Sequence, residues 1–253
     1  MIGNFIVSLA SYSKRINTLH ICLESIFSQT LMPKKIILYL DNSVQPDMIP
    51  IEIFSFIDKG LEVFFVSDDI ASHNKYYYTF KKYPNDIVIT VDDDVIYDKC
   101  TFYNLMQTHL KYPNSVCATR VTYMMFDNAH NIASYNNWIS EYDKLICPSK
   151  RLVAVGVGGI LYPPHIFSDE VFDKNKIISL ALTADDIWLK FMELKNNIYV
   201  VWSGQLPQHP QQIPNTQDVG LWLNINKHKN DEYVQNLETY YNIDLFSLIT
   251  EGE

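Results

Sequence analysis

The strongest constraint on this chain is the run Ile87-Val88-Ile89-Thr90-Val91-Asp92-Asp93-Asp94-Val95, where strand-favouring residues lead directly into three carboxylates. The apolar part does not alternate with polar residues, which suits a central strand covered on both faces. Pro84-Asn85-Asp86 precedes it as a turn signal and sets its lower edge. Three consecutive acids do not sit unpaired inside such a core, because burying an uncompensated carboxylate costs too much. They are expected where the strand leaves the sheet, and in open α/β sheets that carboxyl edge is where ligands bind. If the backbone stays extended, Asp92 and Asp94 project to one side and Asp93 to the other. Carboxylates together with a substrate diphosphate suit Mg²⁺ or Mn²⁺; a solvated acidic turn is the plain alternative.

The first half repeats a strand–helix pattern around this run. Residues 4–9 read as a strand, followed by the polar loop Ala10-Ser11-Tyr12-Ser13-Lys14-Arg15. Ile16, Leu19, Leu23, Ile26 and Phe27 then recur at helical spacing up to about Gln29. Lys35–Leu40 is a second strand closing on Asp41-Asn42-Ser43, and Leu61–Val66 a third closing on Ser67-Asp68-Asp69. A strand–helix–strand unit implies a parallel pair with a right-handed crossover, so these polar strand ends share one edge with the aspartate triplet. A short apolar segment spans 51–57, and a Lys- and Tyr-rich helix spans 73–83.

The second half is less regular. Helices are expected over 100–110 and 183–194, one or two strands over 115–125, and a strand over 198–202. Residues 127–150 read as a long polar excursion and 205–217 as a proline-marked loop, with helices near 217–226 and 231–241. With 253 residues, 47% of them hydrophobic, the chain has enough apolar surface for one large domain. No repeat or linker divides it. The expected organisation is a nucleotide-binding half (1–98), an acceptor-binding half (99–215) and a C-terminal helical tail (216–253).

A net charge of −9 argues against a nucleic-acid partner, which calls for a basic footprint. Cys22, Cys100, Cys117 and Cys147 form no CxxC pair and read as reduced thiols. The N-terminus lacks a signal-peptide pattern, and no apolar run reaches the ~18 residues of a membrane span. A cytoplasmic protein is expected, with peripheral membrane contact left open.

Several residues are candidates for chemistry, each with an ordinary alternative. Ser11, Tyr12 and Arg15 lie beside the ligand edge; Tyr12 suits base stacking and Arg15 pairing with a phosphate or carboxylate. Asp41 is placed to bond a base or ribose, or simply to make a turn. Lys75 stands at a helix start, where the dipole disfavours a cation, so an anion there would explain it. Gly158 and Gly159, in Gly156-Val157-Gly158-Gly159, permit close approach to a sugar or a tight turn. They do not fit a dinucleotide fingerprint. In Thr183-Ala184-Asp185-Asp186, Thr183 as N-cap with Asp186 three residues on resembles a capping box. Two adjacent acids exceed what a cap needs, and an acid held at a helix start is also a candidate general base. Trp188 either packs in the core or lines a sugar site. His209, between two prolines, is either an exposed loop residue or a metal ligand completing a site with Asp94.

Taken together, Val7-Ser8-Leu9-Ala10-Ser11-Tyr12-Ser13-Lys14-Arg15-Ile16, Asp92-Asp93-Asp94 and Ala184-Asp185-Asp186-Ile187-Trp188-Leu189 resemble the glycosyltransferases of the A-type (GT-A) fold. The likeness spans residues 4–205 and is greatest to bacterial family 2-like enzymes that build lipopolysaccharide or capsule. It implies an α/β, Rossmann-like, mostly parallel central sheet flanked by helices, with C-terminal helices. It implies an Asp-x-Asp site in which Asp94 holds Mn²⁺ or Mg²⁺ and Asp92, with Asp93 beside it, faces the nucleoside. Tyr12, Arg15 and Asp41 map to the uracil side. Asp186 maps to the catalytic base of inverting members, with Asp185 as fallback. Two departures stand out: the N-terminal loop lacks the proline common in the family, and no third metal ligand is evident beyond His209.

The implied reaction moves a sugar from a nucleotide-diphosphate donor, expected to be a UDP-sugar, to a hydroxyl of an oligosaccharide or lipid-linked glycan. A haloacid dehalogenase-like phosphatase or phosphotransferase, and a non-catalytic Ca²⁺- or sugar-binding module, are the alternatives.

Overall fold

The computed structural model describes residues 2–68, 70–216 and 225–250. The chain opens with β1 (Phe5–Ser11), α1 (Leu19–Phe27), β2 (Lys35–Leu40), α2 (Ile51–Ile57) and β3 (Leu61–Phe65). It continues with α3 (Asn74–Lys82), β4 (Ile87–Thr90), β5 (Val95–Ile96), α4 (Thr101–Lys111), β6 (Val116–Ala118) and β7 (Val121–Tyr123). Then come β8 (Ile139–Ser140), β9 (Leu152–Ala154), β10 (Ile160–Tyr162), α5 (Lys174–Ala181), α6 (Asp185–Lys195) and β11 (Val200–Trp202). β12 (Gln211–Gln212), α7 (Lys227–Tyr241) and α8 (Leu245–Thr250) end it.

The main sheet has strand order β11-β6-β10-β4-β1-β2-β3. β1 pairs in parallel with both β2 and β4, β2 with β3, and β6 with β11. β10 is antiparallel to β4 and to β6. The expected mostly parallel α/β sheet is therefore present, and β6 points the same way as β4. A small sheet, β8-β7-β9, and the pair β12-β5 extend the structure beyond the carboxyl edge.

The central strands are non-alternating because both faces are covered. Val7 and Leu9 of β1 share a core with Leu19, Leu23 and Ile26 of α1, while Ile6, on the opposite face, packs with Ile37 and Tyr39. A second core gathers Ile187, Trp188 and Phe191 of α6 with Leu237 of α7 and Leu245 of α8. Burying each of these large apolar side chains contributes about 1.5–3 kcal/mol.

Several expected elements are placed differently. α1 starts at Leu19 because Tyr12–Leu19 is taken up by tight turns, with the Ile16 amide bonding the Tyr12 carbonyl and the Thr18 amide the Arg15 carbonyl. The 115–125 segment divides into β6 and β7, which join different sheets, with Arg120 between them. The apolar 152–162 segment is broken by the Gly156–Gly158 turn into β9 and β10. The 127–150 excursion is held in place: Asp231 of α7 accepts from the Ser134 hydroxyl at 2.7 Å and the Tyr135 amide at 2.6 Å. The last long helix begins at Lys227 rather than 231. Asp69 and nearly all of the helix expected over 217–226 lie outside the described residues. No described helix is long and apolar enough to cross a membrane.

Candidate active site

A cavity of about 960 Å³ opens at the carboxyl edge of the sheet. Ser11, Tyr12, Arg15, Asp41, Lys75, Asp92, Asp93, Asp94, Asp185, Asp186 and His209 all line it. The topology explains why: β1, β2 and β4 run parallel, so the loops after them emerge side by side.

The triplet does not stay extended. The chain bends after Val91, whose amide still bonds the Ser8 carbonyl at 3.0 Å. The expected alternation is thereby overturned: Asp93 and Asp94 share one partner and Asp92 takes another. Arg15 Nη1 lies 2.5 Å from Asp93, and Nη2 lies 2.8 Å from Asp94. Burial alone would weaken the guanidinium's charge, but these two carboxylates hold it firmly protonated. Arg15 also stands 5.7 Å over the Tyr12 ring.

Asp92 pairs with Lys75 Nζ at 2.7 Å, and Asp185 reaches the same ammonium at 2.8 Å. Lys75 is 5% exposed and is therefore not an ordinary surface lysine. The anion that explains a lysine at this helix start is this pair of carboxylates. Burial disfavours the charged ammonium, and Asp185 and Asp92 outweigh it. Ser8 anchors the start of α3 by donating to the Lys75 carbonyl.

The capping-box reading of the acid pair is corrected. The N-cap of α6 is Ala184, with no side-chain cap bond. The Thr183 hydroxyl instead bonds Asn226 at 2.8 Å and Tyr233 at 2.9 Å. Asp186 is thus free of capping and faces the cavity, where the Gly156 amide donates to its carboxylate at 3.1 and 3.2 Å. Burial and the neighbouring Asp185 push the Asp186 carboxyl well above the ordinary carboxylate value. Asp185 is pushed up by burial too, but Lys75 overcomes this and holds it below its ordinary value. Two adjacent acids therefore separate into an ionised structural carboxylate and a proton-accepting one.

Gly156 sits at the junction. A Cβ there would stand 2.6 Å from Lys75 Nζ, 3.3 Å from Asp186 and 3.4 Å from Asp92. Tyr97 ties this turn to the triplet, accepting from the Asp92 amide at 2.8 Å and donating to the Val157 carbonyl at 3.1 Å.

Asp41 accepts from the Ser43 amide at 2.9 Å, so it makes the ordinary turn while also facing the cavity. The Ser11 hydroxyl is buried without a hydrogen-bond partner among the described residues. His209 lines the same cavity as Asp94 and precedes β12, which pairs with β5; the Ile213 amide bonds the Asp94 carbonyl at 2.9 Å. Its Nδ1 faces the Pro210 carbonyl at 2.7 Å. Among the described residues, no three His, Cys, Asp or Glu side chains stand grouped as a metal cage.

Three sugar-site candidates are not in the cavity lining. Trp188 is fully buried, and its indole N–H donates to the Val171 carbonyl at 3.2 Å. Gly158 is pressed against Thr119 and Arg120, and Gly159 adopts φ +92°, a conformation that suits glycine. Both are packing and turn residues. The cavity's far wall instead comes from Arg120, Tyr135, Trp138, Asn226 and Asn230. They sit in short strands, an excursion and a helix start that carry no motif, so hydrophobic periodicity had no hold on them.

The family model "Glycosyl transferase family 2" matches residues 7–159, which include most of β1, the triplet and the Gly156 turn. Among solved structures, the chain is similar to the mannosyltransferase PcManGT from Pyrobaculum calidifontis, solved with GDP-Man and Mn²⁺. Identity is 11% and the TM-score 0.51, covering 84% of this chain and 58% of that one. TarS from S. aureus gives 13% identity and a TM-score of 0.51, over 95% of this chain and 43% of TarS. A 4-diphosphocytidyl-2C-methyl-D-erythritol synthase gives 7% and 0.50, over 86% and 96%. The chain thus spans little more than half of the mannosyltransferase and less than half of TarS. At these identities the likeness is one of fold. No curated protein sequence matches. The chain belongs to glycosyl transferase family 2 and has the A-type fold.

Proposed function

We propose that the chain transfers a sugar from a nucleotide-diphosphate donor, a UDP-sugar, to a hydroxyl of a growing surface glycan of the lipopolysaccharide or capsule type, with inversion. The carrying observation is that Lys75 bridges Asp92 and Asp185, which brings the triplet and the acid pair to one cavity.

Carboxylates outnumber cations at the centre: Asp92, Asp93, Asp94, Asp185 and Asp186 surround Lys75 and Arg15. Asp93 Oδ2 is buried with no hydrogen-bond partner among the described residues. An orphaned carboxylate oxygen in an acid-rich pocket suits a hard divalent cation, and the neighbouring mannosyltransferase was solved with Mn²⁺. Asp94 is the residue that would hold Mn²⁺ or Mg²⁺, with Asp93 next to it in sequence and His209 lining the same cavity, while Asp92 faces the nucleoside. Such an ion supplies charge neutralisation for the leaving diphosphate.

The chain's own residues do the rest. Tyr12, Arg15, Ser11 and Asp41 form the nucleoside side. Asp186 accepts the acceptor's proton as the hydroxyl attacks the anomeric carbon from the face opposite the diphosphate. Its raised affinity for protons makes it a stronger base than an ordinary carboxylate, and the Gly156 amide fixes its direction. The transition state resembles that of glycoside hydrolysis, an oxocarbenium ion. Residues 1–98 serve the donor, 99–215 the acceptor, and the C-terminal helices close the acceptor wall. The four free cysteines fit a reducing cytoplasmic location at the inner face of the membrane. Replacing Asp186 by Asn tests the reading: donor binding persists and transfer is lost, whereas near wild-type transfer contradicts it.

A further inference from the structure

Three buried or largely buried cations of the cavity, Arg15, Lys75 and Arg120, are unequally satisfied. Arg15 and Lys75 each grip two carboxylates at 2.8 Å or less. Arg120 has one ion partner among the described residues, Glu141, at 3.6 Å, and Glu141's side chain is 46% exposed against 17% for Arg120. Its Nη2 reaches the Ser140 hydroxyl at 3.3 Å, and its Nε, like that of Arg15, is buried with no hydrogen-bond partner among the described residues. A guanidinium held from water with its fork half used is costly unless an anionic oxygen group completes it.

Topology says which substrate that group belongs to. Asp92–Asp94 follow β4; the loops after β1 and β2, on one side of it, carry Ser11, Tyr12, Arg15 and Asp41. Arg120 follows β6, two strands away on the other side, a lateral offset of roughly 10 Å. Asp186 lies between, its charge acting on Lys75 on the triplet side and on Arg120 and Tyr135 on the far wall. Arg120 is also held rigidly. A Cβ on Gly158 would stand 2.6 Å from Arg120 Cβ and 2.8 Å from its amide nitrogen, so only glycine lets this turn press against it. The Arg120 carbonyl accepts from the Val155 amide at 3.0 Å. Across the same wall Asn230, 5% exposed, keeps Oδ1 without a hydrogen-bond partner among the described residues.

We propose that Arg120 anchors the acceptor, receiving a carboxylate or phosphate group that the acceptor sugar carries, while Asn230 Oδ1 takes one of its hydroxyls. The acceptor is thus an anionic saccharide, held so that a neighbouring hydroxyl meets Asp186. This deepens, and rests on, the glycosyl-transfer reading above.

The test is calorimetric titration of the protein loaded with UDP and Mn²⁺, using glucuronate, glucose 6-phosphate and glucose as probes. The expected result is that a charged sugar binds at least about tenfold more tightly than glucose. Which charged probe binds separates carboxylate from phosphate. Arg120→Gln should lose that preference, Arg120→Lys should retain part of it, and UDP affinity of both variants should stay within about twofold, which also reports that they fold. The proposal is overturned if glucose binds as well as the charged sugars, if neither charged sugar binds, if R120Q keeps the preference, or if R120Q weakens UDP instead. If wild type binds no UDP, the donor reading fails separately, and titrating the unloaded protein with the two charged sugars still reads Arg120.

Discussion

Asp92 and Asp185 are joined through a single ammonium, Lys75 Nζ, at 2.7 and 2.8 Å. One carboxylate ends the central strand and the other opens α6, so one buried lysine sets the distance between the two acidic segments of the site. Removing it leaves two carboxylates facing each other with no cation between them, Asp185 buried and Asp92 partly exposed. Lys75→Met is expected to destabilise the protein by about 3–5 kcal/mol in urea unfolding, the cost of breaking a buried pair by deleting one partner. A loss below about 1 kcal/mol would mean the bridge is solvated and does not set the geometry.

Asp186 should carry the acid limb of the rate profile. Its carboxyl is raised by burial and by Asp185, and a base works only when ionised. Turnover should therefore fall, as pH is lowered, at higher pH than an ordinary carboxylate would cause. Asp186→Asn should cut transfer by about 10²–10⁴-fold and remove that limb, with UDP affinity unchanged. A retained acid limb in the variant would assign it to another group.

Gly156 should matter more than a turn glycine does. Its added methyl would meet Lys75 Nζ at 2.6 Å, and that ammonium is not free to move because two carboxylates hold it. Gly156→Ala is expected to cost about 1–3 kcal/mol, the usual price of overpacking, and to slow transfer more than it weakens UDP. Equal effects on both would place the strain elsewhere.

His73 gives the fold an acid sensitivity of its own. It is fully buried, with Nδ1 3.0 Å from the Tyr76 hydroxyl and Nε2 2.9 Å from the Ala181 carbonyl. Burial pushes its pKa down from 6.5 to about 4. A depressed folded-state pKa means the neutral form stabilises the fold above pH 6.5, and this is lost as pH falls toward 4. The span corresponds to about 3 kcal/mol. Unfolding free energy measured across that window should decline in wild type and decline less in His73→Gln.

The first half was legible because its signals are local. Non-alternating strands, helical spacing in α1 and polar strand ends together specify a parallel sheet with its ligand edge, and the triplet marks that edge. The acid pair was legible as a candidate base but its local geometry was not, since Thr183 looks like a cap in sequence and is diverted by Asn226 and Tyr233. Lys75 illustrates the limit: the helix dipole demanded an anion, and only tertiary structure shows that Asp92 and Asp185 supply it. For Trp188 and Gly158 the choice between packing and sugar contact stayed open in the sequence, because burial and close backbone contact leave no trace in spacing. Arg120, Tyr135 and Asn230 were missed because three unrelated segments bring them together.

The most direct measurement is calorimetric titration with UDP, with and without Mn²⁺, on wild type and Asp94→Ala. UDP binding that requires Mn²⁺ in wild type and disappears in the variant is the predicted result. Absence of UDP binding under both conditions, or binding in Asp94→Ala equal to wild type, would contradict a metal-dependent UDP-sugar site at the triplet.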